Sequence, residues 1–316
     1  MLLLDRATIA NLATPDVALE AVRRAFTVLD RRECLTSQST HLELPNGGEL
    51  HIKGGWIQGS RWIAYKVATG AFPAGGNSGS TIVIDATDGS LAALIADDGL
   101  LTELRTAAAG ALATELLARP DASSLAVIGT GVQARYQVRA LRRVRRISHI
   151  TVWGRDRDRA AAFAVEIGAD IAVDAESAVK TSDIVLTVTS ARSPVVQGAW
   201  LKPGTHVTAV GADAPGKREL DDDVLLVAHH IACDDVVLSS HVGELQHRPD
   251  QAARAIPLSA VVTARLTGRC SPDDITVSDL CGLGIEDVAI TEAVLATLLG
   301  PDSSVADRAS TGGGDV

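Results

Sequence analysis

The chain has 316 residues, of which 46% are hydrophobic and only 3% aromatic, a composition typical of α/β proteins packed with small aliphatic side chains. Its formal net charge of -10 excludes a general nucleic-acid binder, because neutralising phosphates needs a basic surface. The first residues carry no basic segment, and no apolar run is long enough to span a membrane. The four cysteines have no C-x-x-C spacing. We therefore predict a cytoplasmic protein with neither nucleic acid nor membrane as a partner.

The eight histidines do not predict a metal site. They are scattered along the chain without an H-x-x-x-H pair and without a cysteine at ligand spacing. No bound metal is therefore expected.

The first third of the chain predicts a helix followed by a sheet. Thr14-Pro15-Asp16 supplies a capping hydroxyl, a proline at the first helical position and an early acid. From about Thr40 to Ala96, short apolar runs alternate with turn residues such as Gly75-Gly76-Asn77. Because no helices separate these runs, they predict an antiparallel sheet in a substrate domain. The strands are predicted over residues 49–57, 62–69 and 80–86.

The stretch Ser124-Leu-Ala-Val-Ile-Gly-Thr-Gly-Val-Gln-Ala134 predicts a strand, a phosphate loop and a helix. Residues 125–128 are typical of a buried parallel strand, and the two glycines permit a tight turn. A pyrophosphate would lie against the first N–H groups of the following helix, where the helix dipole favours negative charge. The segment therefore predicts a dinucleotide site. Its residues are Gly129, Thr130, Gly131, Val132, Gln133 and Ala134.

Strand and helix patterns alternate after this loop, which predicts a parallel sheet with right-handed crossovers. The predicted strands cover residues 150–153, 171–173, 184–188 and 206–210, with helices over 156–167 and 177–180 between them. Val188 and Thr189, where a buried strand ends, are candidate cofactor contacts. An edge strand is predicted over residues 227–233. A final helix covers 285–299, and residues 303–316 are predicted to be disordered.

The residues after the second predicted strand bear on which dinucleotide binds. Gly154 leaves room there, while Arg155, with Arg157 beside it, could meet a 2′-phosphate through a guanidinium fork. This favours NADP(H). If the strand continues, Asp156 could instead accept hydrogen bonds from an adenosine ribose and favour NAD(H), and it could also be only a helix cap.

Three polar residues stand where packing does not explain them. Lys66 interrupts an apolar strand, although an outward-facing lysine is the default interpretation of such a pattern. Arg105 lies early in a helix, where the dipole disfavours a cation unless it meets an anion. Asp213 follows a buried strand at its carboxyl end, where α/β proteins bind ligands, but it could equally be a turn aspartate.

Four motifs together resemble the ornithine cyclodeaminase/mu-crystallin family, in the same order and over nearly the whole chain. They are Glu103-Leu-Arg-Thr-Ala-Ala-Ala-Gly-Ala-Leu-Ala113, Val127-Ile-Gly-Thr-Gly-Val-Gln-Ala134, Gly211-Ala-Asp-Ala-Pro-Gly-Lys-Arg-Glu-Leu-Asp221 and Gly282-Leu-Gly-Ile-Glu-Asp287. The resemblance implies an α/β homodimer with a Rossmann dinucleotide-binding domain over residues 118–285. An α+β substrate and dimerisation domain, with a mainly antiparallel sheet, would span residues 1–117 and be completed by the helix 286–302.

The same resemblance implies roles for individual residues. Lys66 would contact the substrate carboxylate or the amine being oxidised, and Arg105 would clamp the carboxylate near the nicotinamide. Asp213 would act as general acid and base toward the imine or its attacking water. Arg105, Lys217 and Gly282, which lie in the matched motifs, join the predicted cofactor contacts. Two cations that fix a carboxylate and one acid/base that handles the nitrogen's proton suit hydride transfer at the α carbon.

The pocket departs from what the resemblance to ornithine cyclodeaminases implies. Those enzymes have an arginine before the second strand and a glutamate on it, whereas this chain has Ser37-Gln-Ser-Thr-His-Leu42 and Leu50-His-Ile-Lys53. His51 and Lys53 are therefore candidate substrate contacts, and both would repel the distal ammonium of ornithine if they face the pocket. An outward-facing Lys53 would remove that objection.

Three functions remain open at this point. The favoured one is an NAD(P)-dependent imine (ketimine) reductase or amino-acid dehydrogenase acting on a small amino or imino acid. The second is a cyclodeaminase, an ammonia lyase in which the cofactor is used catalytically. The third is a dinucleotide or ligand carrier without enzymatic activity.

Overall fold

The computed structural model describes residues 1–73 and 78–300. The predicted turn Gly75-Gly76-Asn77, the end of the predicted helix segment 286–302 and the predicted disordered tail 303–316 lie outside the described residues.

The strands follow the alternating and fully apolar runs of the sequence. In chain order they are β1 (Leu2–Asp5), β2 (Cys34–Thr36), β3 (Thr40–Glu43), β4 (Glu49–Ile57), β5 (Trp62–Gly70), β6 (Ser78–Asp85), β7 (Leu91–Ala96), β8 (Ser124–Ile128), β9 (His149–Trp153), β10 (Asp170–Ile171), β11 (Ile184–Thr187), β12 (Arg192–Val196), β13 (His206–Ala209), β14 (Arg218–Leu220), β15 (His230–Cys233), β16 (Ile256–Pro257) and β17 (Thr276–Asp279).

Several helices begin at an aspartate cap, as at Asp156, whose carboxylate accepts a hydrogen bond from the backbone N–H of Arg159. They are α1 (Arg6–Leu12), α2 (Pro15–Asp30), α3 (Leu100–Leu117), α4 (Val132–Val144), α5 (Arg157–Ile167), α6 (Ala175–Thr181), α7 (Asp222–Val227), α8 (Val236–Val242), α9 (Leu258–Val262) and α10 (Gly284–Leu299). Short 3-10 helices cover Gly198–Trp200, Glu244–His247 and Pro249–Arg254. Within the described ranges, every helix is too short or too polar to cross a bilayer.

The chain forms two compact units. The first contains Met1–Val17, Arg32–Thr102 and the chain from Gly284 onward, and the second contains Ala18–Arg31 and Glu103–Leu283. This division differs from the predicted boundary after residue 117, because most of α3 belongs to the second unit. Ala111 of α3 packs into the same core as Leu125 and Val127 of β8.

The first unit is built on a mainly antiparallel sheet with the strand order β1-β7-β6-β5-β4-β2, to which β3 adds by pairing with β4. The edge strand β1 runs parallel to β7. Helix α10 packs against β4 and β5. The predicted strands of this sheet are confirmed within one or two residues, whereas the chain pattern did not reveal β1, β2, β3 or β7.

The second unit contains a parallel sheet with the strand order β10-β9-β8-β11-β13-β17-β15-β16, which confirms the predicted Rossmann architecture. Apolar cores cover both of its faces, one around Leu125 and Phe163 and the other around Ile128 and Val207. The predicted edge strand 227–233 was wrong in two respects. Val227 ends α7, and β15 lies inside the sheet between β17 and β16.

Candidate active site

The loop after β8 turns sharply at Gly129. The N–H of Gly129 donates to the carbonyl oxygen of Trp153 over 2.9 Å, and its φ of +127° is one that L side chains rarely adopt. A Cβ at this position would lie 2.5 Å from the Val188 carbonyl oxygen. Glycine is therefore required here to bring the loop against the end of β11.

Helix α4 follows this loop and begins at Val132. Gly131 precedes it in an extended conformation and offers no side-chain cap, so the first N–H groups of the helix stay available to an anion. Space for an added Cβ remains around Gly131. These features fit the pyrophosphate of a dinucleotide.

A cavity of about 570 Å³ opens at this loop. Eight of the predicted cofactor contacts line it: Gly129, Thr130, Gly131, Gly154, Arg155, Asp156, Val188 and Thr189. The sequence did not point to Arg159, Ser190, Arg192 or Ser193, which line it as well. Arg159 belongs to the start of α5, and the other three residues follow β11. Polar residues that follow a parallel strand are a signal from which these three could have been predicted.

Other predicted cofactor residues lie away from this cavity. Gln133 donates from Nε2 to the Glu103 carboxylate over 2.6 Å, and Ala134 is fully buried in the core under α4. Val132, Lys217 and Gly282 are likewise absent from the lining. Ala134 thus contributes close packing of the helix and not a ligand contact.

The end of β9 leaves open space beside the glycine loop. A Cβ on Gly154 would lie 2.8 Å from the Thr130 methyl carbon, so a larger residue would close the space above the loop. Arg155 is exposed beside it. The Asp156 carboxylate accepts from the Arg159 N–H over 3.0 Å, which gives it the helix-capping role.

Lys66 lies in the interior of the first unit. Its side chain is on the face of β5 that α10 covers, only 5% of the residue is exposed, and Nζ lies 3.2 Å from a carboxylate oxygen of Asp287. The default interpretation of an outward-facing lysine was therefore wrong. Asp287 was part of a matched motif but was not among the predicted site residues.

His51 and Lys53 share the sheet face of Lys66. Lys53 is the direct cross-strand partner of Lys66, and His51 precedes it by two residues on the same strand. Both side chains are half-buried. The structure thus places a second lysine beside Lys66 on the face that packs against α10.

Arg105 is buried in α3 of the second unit, with 5% of its surface exposed. A Cβ on Gly282 would lie 2.5 Å from the Nη1 atom of Arg105, and Gly282 has a φ of +78°. The predicted contact residue Gly282 therefore makes room for the guanidinium. The backbone N–H of Gly282 donates to Asp234 over 2.5 Å, which fixes this turn.

Asp213 is exposed on the segment after β13, at the carboxyl edge of the sheet. Lys217, predicted as a cofactor contact, donates from Nζ to the Asp213 carboxylate over 2.5 Å. The lysine therefore orients the carboxylate.

Buried acids brace the same edge of the parallel sheet. Glu219 is fully buried and accepts from the N–H groups of Thr189 and Gly211 over 2.6 and 2.8 Å, and from the Thr187 hydroxyl over 2.7 Å. Burial raises the pKa of Glu219 to about 6 against the opposing effect of these hydrogen bonds. Glu219 thereby holds Thr189, one wall of the cavity.

The glycine loop, the parallel sheet and the cavity at its carboxyl edge define a dinucleotide-binding α/β protein. The family model for the ornithine cyclodeaminase/mu-crystallin family matches residues 75–300. The chain belongs to this family, and with it to a group of NAD(P)-dependent enzymes that act on small amino and imino acids. The resemblance predicted from four motifs is confirmed.

Individual relatives match over almost the full length. The iminosuccinate reductase of Paracoccus denitrificans is 31% identical over 93% of this chain and 96% of its own. The structure of Thermococcus litoralis Δ1-pyrroline-2-carboxylate reductase in complex with NADH and L-proline superposes with a TM-score of 0.88 at 27% identity, covering 97% of this chain and 100% of that one. An archaeal alanine dehydrogenase dimer with bound NAD gives a TM-score of 0.87 at 29% identity, covering 96% and 98%.

Proposed function

We propose that this enzyme is an NADP(H)-preferring imine reductase, or in reverse an amino-acid dehydrogenase, for a small α-imino or α-amino acid. The observation that carries the proposal is the buried lysine of the first unit, which stands on a strand where packing alone would select an apolar side chain. The bound nicotinamide would supply or accept a hydride at the carbon next to the substrate carboxylate.

The chain's own residues would bind and protonate the substrate. Lys66, held in place by Asp287, would pair with the substrate carboxylate, and Arg105 would form a second charged contact to it. Asp213 would deliver a proton to the nitrogen during reduction and remove it during oxidation. Lys217 would keep the Asp213 carboxylate in position through their ion pair.

The cofactor preference rests on the residues after β9. Arg155 is exposed at the cavity, Gly154 leaves space beside it, and the Asp156 carboxylate is engaged in capping α5. A guanidinium at this place favours a 2′-phosphate over a free ribose hydroxyl. NAD(H) remains the alternative, because Asp156 also lines the cavity.

A cyclodeaminase acting on ornithine is the second candidate. Lys53 lies on the same sheet face as Lys66 and does not point to the opposite face. The expected repulsion between Lys53 and the distal ammonium of ornithine therefore still applies. A second cation in this position would oppose the distal ammonium of a diamino acid. This observation supports the reductase over the lyase.

The decisive assay follows nicotinamide absorbance in purified protein. We expect NADPH to be consumed with Δ1-pyrroline-2-carboxylate, or with pyruvate plus ammonia. Asp213→Asn should lower kcat by a factor of about 100 to 10,000, whereas Asp250→Asn, which changes a surface acid paired with Arg248, should not. Ammonia release from ornithine with only catalytic cofactor and no absorbance change would establish the lyase instead. Full activity of Asp213→Asn would remove its role in proton transfer.

We also propose that the enzyme is a homodimer. The sheet face opposite α10 carries a row of apolar residues on adjacent strands, and Leu42 on it is 50% and Ile82 36% exposed. An uncovered apolar sheet face is typical of a protein interface. Sedimentation or light scattering that gives the mass of one chain would contradict this proposal. A cytoplasmic location stays a prediction from the sequence.

A further inference from the structure

The hairpin of β3 and β4 carries two short motifs of opposite order, His41-Leu42-Glu43 and Glu49-Leu50-His51. The strands pair so that His41 lies directly opposite His51 and Glu43 opposite Glu49. Because side chains alternate along a strand, the two histidines and two glutamates share one face of the sheet. The leucines between them face the other side.

Three of these side chains converge. The rings of His41 and His51 stack with centroids 4.4 Å apart and an interplanar angle of 10°. The Nε2 atom of His51 lies 3.4 Å from a carboxylate oxygen of Glu49. One ligand atom from each of His41, Glu49 and His51 can be chosen so that all lie within 4.8 Å of one another.

We propose that His41, Glu49 and His51 form a binding site for a divalent transition metal of the zinc type. Imidazole nitrogen and carboxylate oxygen are ordinary Zn²⁺ ligands, with bonds of about 2.0–2.2 Å. The Nε2 atom of His51 and the carboxylate oxygen of Glu49, 3.4 Å apart, already have a separation that suits two ligands of one tetrahedral ion. His41 is exposed, so its ring can turn to supply the third ligand, and a water would complete the coordination.

This proposal revises the expectation of no metal site. That expectation rested on spacings along the chain, such as the four-residue spacing of a helical pair. On a hairpin, the relevant neighbours are two residues apart on one strand and directly across on the next. The proposal does not depend on which reaction the enzyme catalyses.

A second group, His230, Cys270 and Asp274, is the main competitor for the metal. There the Asp274 carboxylate already accepts from the N–H groups of Cys270 and Ser271, each over 2.8 Å. Arg269 directly precedes this turn and donates to the Asp274 carbonyl oxygen over 2.5 Å. A carboxylate that already accepts backbone hydrogen bonds, with a guanidinium nearby, is a poorer ligand for a cation.

The test is calorimetric titration of the chelator-treated full chain with zinc chloride. We expect one saturable site in the wild type, and His41→Ala and Glu49→Gln should each bind at least about 10-fold more weakly. Cys270→Ser and the exposed-histidine control His241→Ala should bind like the wild type. His41 is exposed, so its variant should keep the metal-free melting temperature, which checks the fold.

Zinc should also raise the melting temperature of the wild type but not of His41→Ala, because a ligand of the native state stabilises it. The absence of saturable binding in the wild type would overturn the proposal. So would unchanged binding in His41→Ala, or loss of binding in Cys270→Ser.

Discussion

The Lys66 ammonium lies 3.2 Å from an Asp287 carboxylate oxygen, and both side chains are at least nine-tenths buried. Lys66 is on the second of two long central strands of the first unit, while Asp287 is in the first turn of α10. The pair therefore joins the sheet to the helix that covers it. It also holds a cation at a defined position in a dry environment.

Replacing Asp287 by asparagine should lower the free energy of unfolding by about 3 kcal/mol. The substitution removes one carboxylate from a buried ion pair, and breaking such a pair from one side is destabilising because the desolvation cost of the ammonium is then no longer offset by that carboxylate. Urea unfolding of the purified protein measures the change. The double variant Lys66→Met/Asp287→Leu should recover much of this loss, because it removes both charges. A loss well under about 1 kcal/mol in Asp287→Asn would show that the pair is not coupled.

Gly129→Ala and Gly131→Ala should differ sharply in stability. At residue 129 the new Cβ meets the Val188 carbonyl with the backbone at a φ of +127°, whereas at residue 131 it meets open space. We expect Gly129→Ala to lose about 1–3 kcal/mol and Gly131→Ala less than about 0.5 kcal/mol. Thermal unfolding without cofactor gives both values. Equal stabilities would contradict the strained geometry of the loop.

Arg155→Gln should lower kcat/KM for NADPH by about 10-fold or more and leave the value for NADH nearly unchanged, because only the 2′-phosphate needs the guanidinium. Arg157→Gln is the matched control. Its guanidinium donates to the Val173 carbonyl oxygen over 3.3 Å and is absent from the cavity lining. If both variants keep the NADPH to NADH ratio of the wild type, the proposed cofactor preference is wrong.

Asp279 should make folding less favourable as the pH rises toward neutrality. Burial raises its pKa to about 6, above the ordinary range of an aspartate, so the folded state retains a proton that the unfolded chain has already released. The stability gained from this proton is complete below the unfolded pKa and is lost as the pH increases through about 6. Relative to Asp279→Asn, the wild type should lose stability between about pH 5 and pH 7.

Urea unfolding at these two pH values tests the effect, with Asp250→Asn as a control. Asp250 is exposed, and its hydrogen bonds with Arg248 lower its pKa, so it titrates below this window. If the free energy of unfolding changes equally with pH in the wild type and in Asp279→Asn, the prediction is wrong.

Local patterns were enough to predict the nucleotide-binding elements. The apolar run before Gly129 and the apolar periodicity after it specify β8 and α4, since each depends on neighbours within a few residues. The turn at Gly154 and the cap at Asp156 are equally local. Eight cavity residues near this loop were therefore found from the sequence, whereas Arg159, Ser190, Arg192 and Ser193 were not.

Contacts between distant parts of the chain were not predictable in the same way. The alternation in β5 shows that Lys66 and Tyr65 face opposite sides of the sheet, but not which side α10 covers. Strand β1 exists through pairing with β7, and Leu2–Asp5 alone has no strand signal of comparable strength. Lys66 was thus singled out by its residue type, and its burial and its partner came only from the fold.

The return of α10 to the first unit has a consequence for how the protein is made. Asp287 follows Lys66 by more than two hundred residues, and Glu103–Leu283, the part of the second unit that contains its parallel sheet, lies between them in the chain. During synthesis on the ribosome, the nucleotide-binding sheet can be complete while β5 still lacks the helix that covers Lys66. The first unit is then the last to be completed, although its strands leave the ribosome first. Nascent chains stopped before Gly284 should therefore expose the antiparallel sheet of the first unit to proteases.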